Sequence, residues 1–383
     1  MRKTIVIIIF TSIVGWSYGQ KNNVQSAANS FKYKEYAEAK KYIDLASAHP
    51  KTSNSSKMWY YRGRIYLAVH DENNSKIDPE AISKSLSSFM TYFDVDQSKM
   101  YEDSSRVYII NAAIGCFIEG VNEYKGKDFT KASELYQLVL RSLEYDKNKD
   151  LARNNVSEKS IYLNMYYAAS AADDKVRSKE YLDKLISLNY NDANIYLFMC
   201  QILLDEKDTA GALSYIEKGR ERFYDNKNLI LRQVNLSIKM GKSDELHKRM
   251  SEDIEYDSGN STLFLVRGIL NEQNGDKEAA KKDYLEALEL NPSYFIAAYN
   301  LGAMAYNEGV EIMNNAKEIL DNNKYAQEKA RADLLFKEAI PHFEVALEID
   351  PEDMDTVQRL IRMYARTGED EKYQALKKKM GDG

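Results

Sequence analysis

Catalysis and metal binding need reactive side chains that converge, and this chain offers few candidates. Its four histidines, His49, His70, His247 and His342, are scattered, and none stands four residues from another or beside a cysteine. A zinc site takes three or four converging ligands, so each histidine is expected to be a surface or packing residue. No glycine-rich phosphate loop is present, and no nucleophile elbow of the G-x-S-x-G type. Carboxylates are abundant, but the pattern singles out no pair, and they suit the polar faces of helices. The run Asp71-Glu72-Asn73-Asn74 suggests calcium, yet the glycine at the sixth position and the glutamate at the twelfth of a calcium loop are missing. The expectation is a non-enzymatic chain with no cofactor and no metal.

What remains is an architecture for holding something else. The 383 residues include only 5 prolines, and none falls between residues 80 and 291, so nothing there forbids continuous helices. Charged residues make up 29 %, and together with abundant Ala, Leu and Tyr they suit many amphipathic helices. Net charge is -6, which argues against nucleic acid as the main partner because phosphate binding needs concentrated Lys and Arg. The basic run Lys377-Lys378-Lys379 is short and suits a solvated helix end.

Residues 1–19 read as a signal peptide. Arg2 and Lys3 form a charged start, Thr4 to Trp16 is almost wholly apolar, and Ser17-Tyr18-Gly19 before Gln20 offers small residues at a cleavage site. The apolar run is shorter than the roughly 20 residues that span a bilayer, which favours cleavage between Gly19 and Gln20 over an uncleaved anchor. Loss of Arg2 and Lys3 takes the net charge of -6 to -8. No later segment is apolar enough to cross a membrane. The expected setting is the periplasm or another part of the envelope of a Gram-negative bacterium, or release outside.

A repeat of about 34 residues organises the rest. Its clearest copy, residues 261–294, holds Phe264, Gly268, Gly275, Ala280, Tyr284, Ala287 and Pro292. This resembles the tetratricopeptide repeat, with a bulky residue at position 4, small residues at 8, 20 and 27, an aromatic at 24 and Pro at 32. Small residues stand where two helices come closest, and aromatics fill the remaining gaps. Gly275-Asp276 makes the turn, Asp276 caps the second helix and Pro292 ends it. Arg267 and Asn271 depart from the usual Leu at 7 and Tyr at 11.

Other copies follow in register. Ala39, Ile43 and Ala46 mark a second helix near the start. Trp59, Gly63 and Tyr66 mark a first helix, and Gly120, Ala132 and Tyr136 the next unit. Tyr162, Ala169 and Leu182 mark a weaker copy, followed by Tyr196, Cys200 and Ala212. Ile230, Gly241 and Met250 keep the spacing without the alanines. Leu301-Gly302, then Ala339, Phe343, Ala346 and Pro351, form a unit interrupted by about 25 extra residues within 310–335. Leu360, Tyr364 and Gly368 open a last, short capping unit over 354–383. The resemblance implies an all-α, right-handed solenoid of eight or nine units over residues 20–383. Cys116 and Cys200 fall in different units, so they are expected to be buried free thiols although export permits a disulfide.

Two irregularities stand out. Ile312, Met313, Ala316, Ile319 and Leu320 are apolar at helical spacing, so the insert is expected to extend both helices into a projecting hairpin, either a stiff spacer or a docking arm. Pro341 then falls inside the second helix, where a kink or local break is expected. Residues 71–78 form a polar surface loop lengthening an inter-helix turn.

The resemblance also implies where a partner would lie. Positions 2, 5, 9, 12 and 13 of the first helices line a concave groove in this family, which here places Tyr60, Arg64, Tyr167, Gln201, Asn235, Tyr299, Tyr306, Arg362 and Arg366 toward it. Tyr and Arg anchor protein interfaces, though with 29 tyrosines several are equally expected between repeats. The family's clamp for a terminal carboxylate, Lys at 5 and Asn at 9, does not carry over, because Leu231 accompanies Asn235. The leading expectation is an exported scaffold that binds a protein or peptide; a glycan-binding protein using tyrosine platforms and a purely structural spacer are the alternatives.

Overall fold

The computed structural model describes residues 13–71, 76–96, 98–224 and 226–381, with side chains from residue 22 to residue 378. Residues 1–12 of the expected signal peptide and residues 72–75 of the polar loop lie outside the described residues. Gly19 and Gln20 fall within a helical backbone, but their side chains are likewise outside them. The described chain forms nineteen α-helices and no strand. It divides into two compact units, Met1–Ile195 and Tyr196–Gly383.

The first unit holds α1 (Ile13–Lys32), α2 (Tyr36–Ser47), α3 (Ser56–Asp71), α4 (Ala81–Val95), α5 (Glu102–Lys125), α6 (Phe129–Ser142), the single turn α7 (Asp150–Arg153), α8 (Glu158–Ala171) and α9 (Lys175–Ser187). The boundary falls in the first turn of α10 (Asn194–Asp205). The second unit continues with α11 (Thr209–Arg222), α12 (Lys227–Lys239), α13 (Ser243–Tyr256), α14 (Ser261–Gln273) and α15 (Lys277–Leu290). It ends with α16 (Phe295–Ala316), α17 (Asn322–Ile349), α18 (Met354–Thr367) and α19 (Asp370–Gly381). Closely packed hairpins are α1–α2, α3–α4, α5–α6 and α8–α9 in the first unit and α14–α15, α16–α17 and α18–α19 in the second.

The hairpins close because one helix carries a glycine where the other carries a ring. A Cβ added at Gly268 would lie 2.7 Å from Tyr284, and one at Gly302 would lie 2.8 Å from Phe343. Gly63 under Phe89 and Gly120 under Tyr136 repeat the contact in the first unit, at 2.7 and 2.6 Å. Without a side chain at the glycine, the ring lies flat on the facing backbone and fills the gap that a close helix approach leaves. Ala39, Ala132, Ala212, Ala280, Ala287, Ala339 and Ala346 are all fully buried at the other narrow points.

The turns share a second device. In four hairpins a residue with positive φ precedes an Asp that caps the second helix: Lys127-Asp128, Asp173-Asp174, Lys207-Asp208 and Gly275-Asp276. Each Asp carboxylate accepts a hydrogen bond from a backbone N–H in the first turn, as with Ala279 N at Asp276.

The departures from the repeat at positions 7 and 11 have one cause. Arg267 donates to both carboxylate oxygens of Asp283, Nε at 2.9 Å and Nη2 at 2.7 Å. Asn271 Nδ2 donates to Asp283 Oδ2 at 2.9 Å, and His247 Nε2 meets Asn271 Oδ1 at 2.8 Å. Asp283 is buried, so its charge has to be matched where it stands. The Leu and Tyr usual at these positions would leave it without partners.

Other expectations divide. Cys116 and Cys200 are buried free thiols, one in each unit. The loop before α4 is less superficial than its composition indicates. Asp78 is buried and paired with Lys84 at 2.9 Å and with Lys40 at 3.5 Å. The local break expected at Pro341 does not occur, because α17 runs through it as one helix from Asn322 to Ile349. Pro341 is itself exposed, so a Lys337 carbonyl that has lost its donor is on the solvent side of α17.

Candidate functional site

The insert turns the penultimate hairpin into the longest of the chain: α16 has 22 residues and α17 has 28. The added turns stay tightly packed because the glycine–ring contact recurs. Seven residues beyond Gly302 stands Gly309, and seven residues before Phe343 stands Phe336. A Cβ at Gly309 would lie 2.9 Å from the Phe336 ring. A seven-residue step returns to nearly the same face of a helix, so two antiparallel helices repeat their contact at that interval. Ala316 and Ala332 are also buried and let the backbones remain close.

One face of α16 carries Tyr299, Tyr306, Val310 and Met313 at helical spacing, with Lys317 at its C-terminal cap, and α18 presents Arg359, Arg362, Met363 and Arg366 toward it. Between them opens a cleft of about 500 Å³ with Phe336 of α17 at its base. Tyr306, Val310, Met313 and Met363 supply its apolar lining, and Lys317, Arg362 and Arg366 supply its charge. Val310, Met313 and Lys317 all belong to the insert, so a hairpin of ordinary repeat length would lack this wall.

The arginines of α18 have different surroundings. Arg359 is packed over three rings, 5.1 Å from the centroid of Tyr306, 5.6 Å from Tyr299 and 5.8 Å from Phe343. Its Nε donates to Asp355 Oδ2 at 2.9 Å, and the Tyr299 hydroxyl donates to the same carboxylate. Burial pushes the Tyr299 hydroxyl up to about 12, with the Asp355 charge adding to it. Burial also raises the Asp355 carboxyl, but the hydrogen bonds from Tyr299 and Arg359 and the nearby Arg charges outweigh it and hold the group below its ordinary value. Arg359 therefore joins α18 to the α16–α17 hairpin.

Arg366 is also engaged. Its Nε donates to Asp333 Oδ1 at 2.6 Å, its Nη2 lies 3.0 Å from Met313 Sδ, and the group sits 4.8 Å from the Phe336 centroid. Arg362 is exposed, and among the described residues no carboxylate lies within ion-pair distance of it. The same holds for Lys317, whose Nζ donates only to Asn314 Oδ1, at 2.9 Å. Three cations thus line the cleft: Arg366 is paired with Asp333, Arg362 acts on Asp355 only at longer range while Arg359 holds that carboxylate, and Lys317 forms no ion pair among the described residues.

Of the residues expected to face a groove, Tyr306 and Arg362 meet in this cleft. Tyr299 packs beneath Arg359. Tyr60 is a correction to the expectation of an open groove: it is only 6 % exposed, and its ring stacks on Tyr101 at 4.1 Å. Arg64 is held in the same cluster, 5.0 Å from Phe31 and 5.2 Å from Tyr108. Tyr167 is exposed on α8. Gln201 and Asn235 are exposed, with Gln201 Nε2 bonded to Asp205 at 2.9 Å. Arg359, Asp355, Phe336, Lys317 and Met363 were not marked by the repeat positions. The glycines seven residues apart and the continued α16 stripe are the signal that points to Phe336 and Lys317; nothing comparable marks the three residues of α18.

No group of three or more His, Cys, Asp or Glu able to hold a metal occurs among the described residues. No helix among them is long and apolar enough to cross a membrane.

No protein-family profile and no curated protein matches the chain. Solved structures do. A TPR repeats protein from Bacteroides fragilis is 22 % identical, covering 66 % of this chain and 98 % of its own, with a TM-score of 0.29. MamA is 18 % identical over 49 % of this chain and 88 % of its own, with a TM-score of 0.31. YrrB, described as a TPR protein with an unusual peptide-binding site, is 15 % identical over 52 % of this chain and 94 % of its own, with a TM-score of 0.28. At such low TM-scores the structural assignment rests on the hairpins themselves. Their register, buried alanines, glycine–ring contacts and Asp-capped turns make the repeating element of this chain a tetratricopeptide-type helix hairpin.

Proposed function

We propose that this protein is an exported scaffold or adaptor of the cell envelope that holds a segment of a partner protein and performs no chemistry. The observation that carries this reading is the cleft between α16 and α18, with an apolar base and two exposed cations that form no ion pair among the described residues. Preformed concave sites with an apolar lining and a few polar groups are where ligands bind, and Arg and Tyr are the side chains that anchor interfaces. Export rests on the pattern of residues 1–19.

A photo-crosslinking residue tests it in cells that make the protein. Placed at Asn314 in the cleft, it should capture a discrete protein, whereas at the exposed Val345 of α17 it should capture none. Equal labelling at both positions, or none at Asn314, would remove the cleft as the docking site. Fractionation of the same cells tests export. The glycan alternative gains no support at Tyr60 or Tyr299, whose faces are already covered by Tyr101 and Arg359.

A further inference from the structure

Resting on the reading of this cleft as a docking site, we infer that its occupant is an extended peptide segment in which a bulky apolar residue is flanked by acidic ones. The base is built from Phe336, Met313 and Met363, and methionine adapts to side chains of different shape. The base therefore selects for an apolar residue without fixing which one. Charge is selected separately. Arg366 is matched by Asp333, whereas Arg362 on α18 and Lys317 at the C-terminal cap of α16 stand on opposite walls and form no ion pair among the described residues. Arg362 is offset only at longer range by Asp355, which Arg359 already holds.

This local excess of positive charge runs against the chain's net charge of -6, so it is not part of a generally basic surface. Two cations on two walls are better matched by two acidic side chains than by one terminal carboxylate. Nucleic acid fits less well, because it calls for a track of cations with free aromatic faces to stack on. Here the Tyr306 face is occupied by Arg359 at 5.1 Å.

The test uses the full chain and fluorescence anisotropy with labelled octapeptides blocked at both ends. One has a central Glu-Leu-Glu, a second Gln-Leu-Gln, a third Glu-Ser-Glu and a fourth Lys-Leu-Lys; a fifth has Gln-Leu-Gln with a free C-terminus. The Glu-Leu-Glu peptide should bind at least about tenfold more tightly than the others, and the preference should weaken several-fold on raising the salt from about 0.05 to about 0.5 M. Arg362→Glu and Lys317→Glu should each cost it about tenfold or more, and together should favour the Lys-Leu-Lys peptide instead. Both side chains are exposed, so helix content should be kept and stability lowered only slightly, by the reversal of a charge near a helix end, and that is checked by circular dichroism melts.

Equal binding of Gln-Leu-Gln would overturn the charge selection, and equal binding of Glu-Ser-Glu would overturn the apolar selection. Preference for the free C-terminus would point to a terminal carboxylate. Binding to anionic phospholipid vesicles that is lost in Arg362→Glu, without peptide binding, would replace the peptide with a membrane surface. If no peptide binds while Asn314 still crosslinks to a protein, the inference fails and the docking reading stands. If neither occurs, both fail.

Discussion

Replacing Gly302 with Ala tests the packing that holds the cleft together. In an exposed helix the change would stabilise by about 1 kcal/mol, because Gly is a poor helix former. Here the new Cβ would stand 2.8 to 2.9 Å from Cδ2, Cε2 and Cγ of Phe343. Carbon atoms are at rest near about 3.5 Å or more, so the ring has to retreat by roughly 0.7 Å. It has little room, being fully buried, with Tyr299 at 5.5 Å on its edge and Arg359 over its face at 5.8 Å. Overpacking of this kind costs about 1–3 kcal/mol, and with so confined a ring the upper part of that range applies. The net result is a loss of about 1–2 kcal/mol, felt in α16, α17 and α18. Gly126 is the control. It lies at a helix end with φ -73°, and an added Cβ meets only carbonyl oxygens of its own turn at 3.4 Å. Gly126→Ala should gain about 0.5 kcal/mol. An array of hairpins need not unfold in one step, so amide hydrogen exchange resolved by helix is the suitable assay, with denaturant melts beside it. Adding Phe343→Leu to Gly302→Ala should recover a part of the loss through coupling between the two sites. If Gly302→Ala protects α16 and α17 as Gly126→Ala protects its own helix, the glycine–ring account of these hairpins is wrong.

Asp283→Ala should destabilise the second unit by about 3–5 kcal/mol, because the part-buried Arg267 loses its matching charge. Adding Arg267→Met should recover much of this in denaturant melts. Lys127 and Lys207 adopt positive φ, 68° and 65°, so Lys127→Gly and Lys207→Gly should each stabilise by a few tenths to about 1 kcal/mol, the relief of a left-handed strain of about 1–2 kcal/mol less the entropy of a freer unfolded chain. His342 is held below its ordinary 6.5, mainly by burial and also by the Lys281 charge, while Glu338 opposes the shift. The unfolded chain therefore takes up the proton first. This contribution should be fully present above about pH 6.5 and lost as pH falls through the folded value. Melts at pH 7.5 and 5.5 should show a slope that His342→Gln reduces.

The repeat was legible because its reasons are local. Gly268, Ala280, Tyr284 and Ala287 recur at intervals set by the helical turn and by the need for small residues where helices meet, so residue type and spacing mark the hairpin. The same holds for Asp276 as a cap and for Ile312, Met313 and Ala316, which extend α16. Ile319 and Leu320 instead fall in the turn before α17, with Leu320 97 % exposed, so the apolar spacing there did not mark helix. Pro341 shows the limit of a local rule: it signals an interruption, but the packing of Phe336, Ala339 and Phe343 on the facing helix keeps α17 in one piece.

The candidate site was legible only in part. Tyr60 and Tyr306 are both first-helix tyrosines at groove positions, yet one is sealed inside a ring cluster and the other lines a cleft. Nothing in their own neighbourhood in sequence separates them. Likewise, Arg359, Arg362 and Arg366 share one helix, but one is packed over rings, one forms no ion pair among the described residues and one is paired with Asp333. By itself the sequence determined that helices would pair, where they would turn and which small residues would let them touch, since these follow from side-chain size and backbone preference within some 34 residues. Tertiary structure alone decided which aromatic faces were used up in packing and which cations were drawn into ion pairs, because exposure and charge balance depend on residues brought in from other helices.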